Sequence, residues 1–383
     1  MAEIEKFLEE RKKAGLLRLL RPASSRQSGK VFFNNKEYID FSSNDYLGLS
    51  GHPRLKDAAK KAIDKFGTSA YASRLLSGDL ELHHKLEEKV ASFKNKEAAL
   101  VFNSGYQANV GIINSLCTKG DCIFSDRLNH ASIVDGIILS GAKLFRFKHN
   151  DCKHLEELLD KERGKFKAAL IITETVFSMD GDKAPLSELV RFKEKYNCKI
   201  LVDEAHATGI FGKTGSGMVE DESLQDKIDF IMGTFSKALA SSGAYLASSK
   251  KTIDYLINSC RSFIYSSALP PVVAASNLAS IDLIKEEPNR RKNLLESADY
   301  LRNALIEKGF KTRGASQIIP VIIGDNFRVQ KFAQILQGKN YWVLPIRPPT
   351  VPRDEARLRF SLTVYHDKEI LQKLIDDISK IRI

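Results

Sequence analysis

The residues best able to do chemistry stand at the ends of apolar runs. In residues 199–209, KILVDEAHATG, an apolar run ends at Asp203, and His206 follows three residues later. A carboxylate at a buried strand end is costly unless a cation or hydrogen-bond donors meet it. Either the acid caps local amides and His206 is an ordinary loop residue, or both face a ligand. Residues 233–245, GTFSKALASSGAY, gather Thr234, Ser236 and Lys237 in a turn rich in glycine and serine. A lysine there is a surface charge, a phosphate ligand, or an amine able to form a Schiff base when its surroundings lower its pKa. Residues 103–109, NSGYQAN, join an apolar run to a helical stretch, whose N-terminus offers free amides and a positive dipole end to a phosphate; glycine before a helix is also ordinary turn chemistry. Residues 126–132, DRLNHAS, set His130 just past the run CIFS, where a structural histidine is the plain alternative. Together these stretches supply an aspartate, a stacking-capable histidine, a lysine and two phosphate-binding turns. Pyridoxal 5′-phosphate (PLP) needs that set: an amine for its aldehyde, a carboxylate for its pyridinium nitrogen, amides and hydroxyls for its phosphate, and a planar neighbour for its ring.

The elements that must position these residues are short β-rich runs at 98–102, 122–125, 143–147, 168–173, 199–203, 230–234 and 244–248. Several are apolar nearly throughout, as strands buried on both faces are. Helical stretches such as 105–116 and 186–196 separate most of them, which predicts an α/β fold whose large domain has a mainly parallel sheet flanked by helices. Ligands gather at the carboxyl ends of such strands, where the motifs fall. After Pro270-Pro271 the pattern changes to a long helical region (272–308), a strand at 317–323, a helix, strand-like runs at 341–346 and 357–362, and a final helix. We therefore expect an N-terminal helix and hairpin over 1–40, a large domain over 41–271 and a small C-terminal α+β domain over 272–383.

Composition narrows the function classes. The 383 residues are 43% hydrophobic, enough for sizeable cores and unlike a disordered or coiled-coil chain. Lysine and arginine exceed the acids by 59 − 48 = 11, which favours anionic partners without choosing among them. The basic residues are spread along the chain with no basic–aromatic RNA signature, so no nucleic-acid partner is expected. No apolar run reaches the roughly 18 residues of a membrane span. The first twenty residues mix acids and bases, which fits neither a secretory signal nor a transit peptide, and a cytoplasmic location is expected. Five cysteines without C-x-x-C spacing argue against disulfides and zinc ribbons. His83 and His84 are adjacent on a helical stretch and point apart, so no metal site is expected. Residues 207–214, ATGIFGKT, match a relaxed P-loop, but EAH separates them from the strand that a phosphate-wrapping loop must follow directly.

With these motifs in place, the chain resembles the α-oxoamine synthases, PLP enzymes of aminotransferase fold type I. The likeness runs from SSNDYLGL (42–49) through FNSGYQAN, DRLNHASIVDG, FSMDGDKAPL, VDEAHATG and GTFSKAL into the C-terminal domain. It departs at Ala70, Tyr71 and Ala72 in residues 67–78, and at Ala240, where the family commonly has glycine. The resemblance implies that Lys237 holds PLP as a Schiff base and serves as base, that Asp203 pairs with the pyridine nitrogen, that His206 bonds the phenolic oxygen and that His130 stacks on the ring. It further implies that the amides of Gly105 and Tyr106, with Thr234 and Ser236, hold the phosphate, and that Ser178 contacts the cofactor. The family builds its site between two subunits, which implies a homodimer in which Ser266 and Ser267 serve the partner's phosphate. Arg359, assisted by Asn44, is the implied clamp for an amino-acid carboxylate, and Arg18, His130 and Thr350 match substrate-contacting positions. IRPPTVP (346–352) followed by ARLR (356–359) points to the branch that condenses L-alanine with a pimeloyl thioester of CoA or acyl-carrier protein, releasing CO2, in biotin synthesis. The sibling branch would join glycine to acetyl-CoA.

Overall fold

The computed structural model describes residues 2–381 and resolves them into two compact units. The larger comprises Leu49–Phe177 and Lys183–Arg291; the smaller comprises the chain up to Gly48, Ser178–Asp182 and the chain from Lys292 onward.

Apolar runs with no polar face can be satisfied only between two layers, and the larger unit supplies them. Its seven strands are β1 (Ala98–Phe102), β2 (Cys122–Asp126), β3 (Lys143–Phe147), β4 (Ala169–Glu174), β5 (Lys199–Asp203), β6 (Phe230–Thr234) and β7 (Ala244–Ser248), in the order β1-β7-β6-β5-β4-β2-β3. β2 through β6 pair in parallel, while β7 runs antiparallel to both β6 and β1. The reversal has a simple cause. Residues 235–243 hold too few residues for the crossover that a parallel neighbour requires. Two helices follow strands that carry the motifs: α1 (Gly105–Leu116) after β1 and α2 (Ala131–Ser140) after β2. Their apolar sides, including Ala108, Ile112, Ile133 and Ile137, join Leu100, Phe102, Leu170, Leu201 and Met232 of the sheet in one core.

In the smaller unit the chain starts with a helix, Ala2–Lys13, and a three-stranded meander, Ser25–Gln27, Lys30–Phe33 and Lys36–Asp40. The last of these strands pairs in parallel with Tyr341–Trp342, so the N-terminal segment shares a sheet with the C-terminal part of the chain. Ile318–Gly324, Ala356–Ser361 and Pro345–Ile346 form a second, antiparallel sheet. The run expected as one strand over 341–346 is thus split between two sheets. Its Pro345 has no amide to donate, which confines it to an edge. Pro271 opens the helix Pro271–Glu286 at a position where its missing N–H costs nothing, and that helix belongs to the larger unit. Pro288 starts the next helix, Pro288–Glu307, and the passage between units falls at Arg291. Among the described residues, no helix is long and apolar enough to cross a membrane.

Candidate active site

Five parallel-running strand ends of the larger unit surround one cavity, lined by Gly105, Tyr106, Asn109, His130, Ser132, Glu174, Asp203, Ala205, His206, Met232, Thr234, Ser236 and Lys237. Its volume is about 160 Å³, where a single water needs only about 10–15 Å³. The space takes a small organic molecule.

Asp203 closes β5 and is 5% exposed. Its two carboxylate oxygens accept from Asn109 Nδ2 at 2.9 Å and from the Ala205 amide at 2.8 Å. Asn109 Nδ2 also donates to Ser132 Oγ at 3.0 Å, and Ser132 Oγ lies 2.8 Å from His130 Nδ1. A continuous hydrogen-bonded path therefore joins Asp203 to His130. His130 also caps α2. Partial burial presses its pKa below the ordinary histidine range, the Lys237 cation adds to this, and Asp203 opposes it.

At the other end of the cavity the backbone is arranged for an anion. Ser104 caps α1 by accepting from the Gln107 amide at 3.2 Å, which leaves the Gly105 and Tyr106 amides at the positive end of the helix without intrahelical acceptors. A Cβ on Gly105 would stand 2.7 Å from Thr234 Cγ2, so only glycine permits this approach. Thr234 Oγ1 is buried, with no hydrogen-bond partner among the described residues. An orphaned hydroxyl costs about 1–3 kcal/mol unless a ligand answers it. Helix amides, an orphaned hydroxyl, an anchored carboxylate, an amine and a flat imidazole around one cavity fit PLP in every part. The relaxed P-loop at 207–214 holds no such seat, because Glu220 occupies the Thr214 and Ser216 amides at 3.1 and 3.0 Å.

The structure thus brings together Lys237, Asp203, His206, His130, Gly105, Tyr106, Thr234 and Ser236. Ser266 and Ser267 lie elsewhere, around a small recess with Arg74 and Asn103, where Asn103 Nδ2 reaches Ser266 Oγ at 3.1 Å and the Ser267 carbonyl at 2.7 Å. Arg18, Asn44, Ser178, Thr350 and Arg359 belong to the smaller unit. There Arg18 donates to Thr350 Oγ1 at 2.9 Å. Arg359 is 8% exposed and donates to the Ser178 carbonyl (2.6 Å), Ser361 Oγ (2.6 Å), Tyr46 Oη (3.2 Å) and Asn44 Oδ1 (3.5 Å). All four partners are neutral, and no carboxylate of the described residues pairs with it. Two residues away, Arg357 is saturated by Asp180 and Glu355, each at 2.7 Å.

Sequence reasoning missed Asn109, Ser132, Glu174 and Tyr46. Asn109 lies one helical turn beyond Gly105, and Ser132 lies two residues beyond His130, spacings that could have flagged both. Glu174 lay one residue past the expected strand end.

The chain matches the family model for class I and II aminotransferases over residues 36–378. Among solved structures, a serine palmitoyltransferase from S. paucimobilis with a bound PLP–myriocin aldimine superposes with a TM-score of 0.91 at 30% identity, covering 98% of this chain and 96% of that one. The chain belongs to the aminotransferase family of PLP-dependent enzymes of fold type I. More particularly, it belongs with the 8-amino-7-oxononanoate synthases: that of Geotalea daltonii is 45% identical over 377 residues, 98% of this chain and 96% of the relative. The crystal structure of 8-amino-7-oxononanoate synthase from Francisella tularensis has a TM-score of 0.78 at 30% identity, covering 90% of this chain and 97% of that one.

Two of the departures from customary glycine carry a physical consequence. Tyr71 and Ala240 adopt φ of 67° and 53°, the left-handed region. Ala240 ends the turn that starts at Lys237, its amide donating to the Lys237 carbonyl at 2.9 Å. Left-handed backbone costs a residue with a Cβ about 1–2 kcal/mol, and glycine's extra unfolded-state freedom returns part of that. Ala240→Gly should therefore raise stability by up to about 1 kcal/mol in chemical denaturation. A loss of stability would show that the Ala240 methyl contributes packing that outweighs the strain.

Proposed function

We propose that this protein catalyses the PLP-dependent condensation of L-alanine with a pimeloyl thioester, giving 8-amino-7-oxononanoate, CO2 and the free thiol carrier, in biotin biosynthesis. The observation that carries this reading is the single cavity where Lys237, Asp203, His206, His130, Gly105 and Thr234 converge. The 8-amino-7-oxononanoate synthase relatives give the reaction. In the net chemistry, alanine Cα loses its proton and bonds to the thioester carbonyl carbon. The C–S bond breaks and the thiol leaves, the carboxyl departs as CO2, and a proton returns to Cα. PLP, when bound, takes up the electron pair that Cα would otherwise carry alone, both on deprotonation and on loss of CO2.

The chain's own residues divide the remaining tasks. Lys237 Nζ would be the amine that attaches the cofactor aldehyde and the base that removes and returns the Cα proton. Asp203, anchored by hydrogen bonds from Asn109 Nδ2 and the Ala205 amide, would pair with the ring nitrogen and hold a proton there. His206 donates to the phenolic oxygen and His130 covers the ring face. The Gly105 and Tyr106 amides, Thr234 Oγ1 and Ser236 bind the phosphate, and Ser178 contacts the cofactor. Arg359, a buried guanidinium with no carboxylate partner among the described residues, grips the alanine carboxylate with Asn44 beside it, because a planar fork matches a carboxylate in two bonds. Arg18, His130 and Thr350 contact substrate. We further propose a cytoplasmic homodimer. The separation of Ser266 and Ser267 from the Lys237 cavity supports their service to a second copy. Exposed Tyr71, Leu75, Leu76 and Tyr265, each within three residues of the bridged Ser73 or Ser267, offer apolar side chains for burial between subunits.

Steady-state assays should show alanine preferred over glycine and pimeloyl over acetyl thioesters; a preference for glycine and acetyl-CoA would assign the sibling reaction instead. Arg359→Lys keeps the charge but loses the fork, so the alanine KM should rise about tenfold, equivalent to about 1.4 kcal/mol. An effect confined to the acyl-donor KM would move Arg359 to the thioester. Sedimentation should return a dimer; a fully active monomer would refute the shared site.

A further inference from the structure

The turn that carries His206 is held from its far side by a buried ion pair that the chemistry above does not use. Thr208 N donates to the Glu204 carbonyl at 2.9 Å, closing one helical turn, so the side chains of Glu204 and Thr208 share a face. His206 lies between them in sequence and lines the cavity, as do Asp203 and Ala205, whereas Glu204 and Thr208 do not. Their shared face meets Lys94, the last residue of the helix Glu81–Lys94. Lys94 Nζ donates to Glu204 Oε2 at 2.6 Å, to Thr208 Oγ1 at 3.0 Å and to the Ser216 carbonyl. The second Glu204 oxygen accepts from the Val219 amide at 2.9 Å, and Thr208 Oγ1 lies 2.9 Å from Tyr245 Oη. Lys94 and Glu204 are 1% and 0% exposed.

Two glycines clear room for this network. A Cβ at Gly217 would stand 2.4 Å from Glu204 Oε2, and one at Gly233, the cross-strand neighbour of Tyr245, would stand 2.2 Å from Tyr245 Oη. Burying two opposite charges is a poor way to gain stability, because desolvation offsets most of the attraction; fixing one arrangement is its better-attested use. The arrangement fixed here includes the Asp203 and His206 side chains. We infer that Lys94 and Glu204 are positioning residues, whose ion pair locks the 203–208 turn so that Asp203 and His206 meet the bound ring in a single geometry. This rests on the PLP reading above.

The test is the double variant Lys94→Met with Glu204→Gln, prepared as holoenzyme. Methionine approximates the unbranched stem of lysine without its ammonium group, and glutamine keeps an acceptor for the Val219 amide. The variant should fold, and its kcat should fall about tenfold to a hundredfold, as for a small misplacement of catalytic groups. The alanine KM should stay within about twofold, because Arg359 is untouched. The cofactor's visible absorption band should shift in wavelength or in the pH at which it titrates. In cofactor-free protein, amides over 204–209 should exchange with solvent about tenfold faster, reporting local opening of the turn. Wild-type kcat with an unmoved band and unchanged exchange would overturn the inference, as would a kcat loss with neither the band nor the exchange altered. Should the double variant fail to fold, Glu204→Asp keeps both charges while shortening the reach, and the same measurements support or overturn the inference in the same way. If the wild-type protein carries no visible band, the PLP reading itself fails, and the exchange measurement on the cofactor-free chain still decides whether the ion pair holds the turn.

Discussion

A carboxylate buried at the end of β5 is the constraint around which the site is organised. A carboxylate at that depth needs hydrogen-bond donors, and the fold supplies Asp203 with two: its own turn, through the Ala205 amide, and α1, through Asn109. The second donor ties the acid to the helix whose first amides form the anion seat, so ring and phosphate positions are set by one hydrogen bond across two elements. Asn109 then passes the constraint to Ser132 and His130 at the start of α2. Four side chains from three elements, the end of β5, α1 and the start of α2, are thereby fixed relative to one another before any ligand arrives, which is what preorganisation requires.

The smaller unit shows the opposite electrostatic choice. Arg357 and Arg359 are two residues apart on one buried strand, yet Arg357 is neutralised by Asp180 and Glu355 while Arg359 meets only neutral acceptors. Neutral oxygens orient a guanidinium without cancelling its charge. A buried cation left in that state is destabilising until an anion arrives. The alanine carboxylate is the anion we assign to it.

Much of this was legible in the sequence, for a physical reason. Strands buried on both faces must be apolar almost throughout, so β1, β2, β5 and β6 announce themselves, and polar residues directly after them fall at the sheet's ligand-binding edge. Gly105, His130, Asp203, His206, Thr234 and Lys237 stand out in that way. What stayed hidden depends on contacts between distant parts of the chain. Asn109 reads as any polar helix residue until Asp203, 94 positions later, is placed against it. Lys94 reads as a surface charge until Glu204 meets it from 110 positions away. The Arg18–Thr350 contact spans 332 residues, and no local period reports it. The split of 341–346 between two sheets was hidden as well: Pro345 marks an edge, but which sheet each half joins is decided by its pairing partner.

Asp203, hydrogen-bonded by Asn109 and the Ala205 amide, should keep the ring nitrogen of bound PLP protonated, and the rest of the proposed chemistry depends on that proton. The nitrogen-15 NMR shift of the ring nitrogen, measured on holoenzyme loaded with labelled cofactor at mildly alkaline pH, reads its protonation directly. The wild-type protein should give the protonated position, and Asp203→Asn the neutral one. A neutral ring nitrogen in the wild-type holoenzyme would contradict the role given to Asp203.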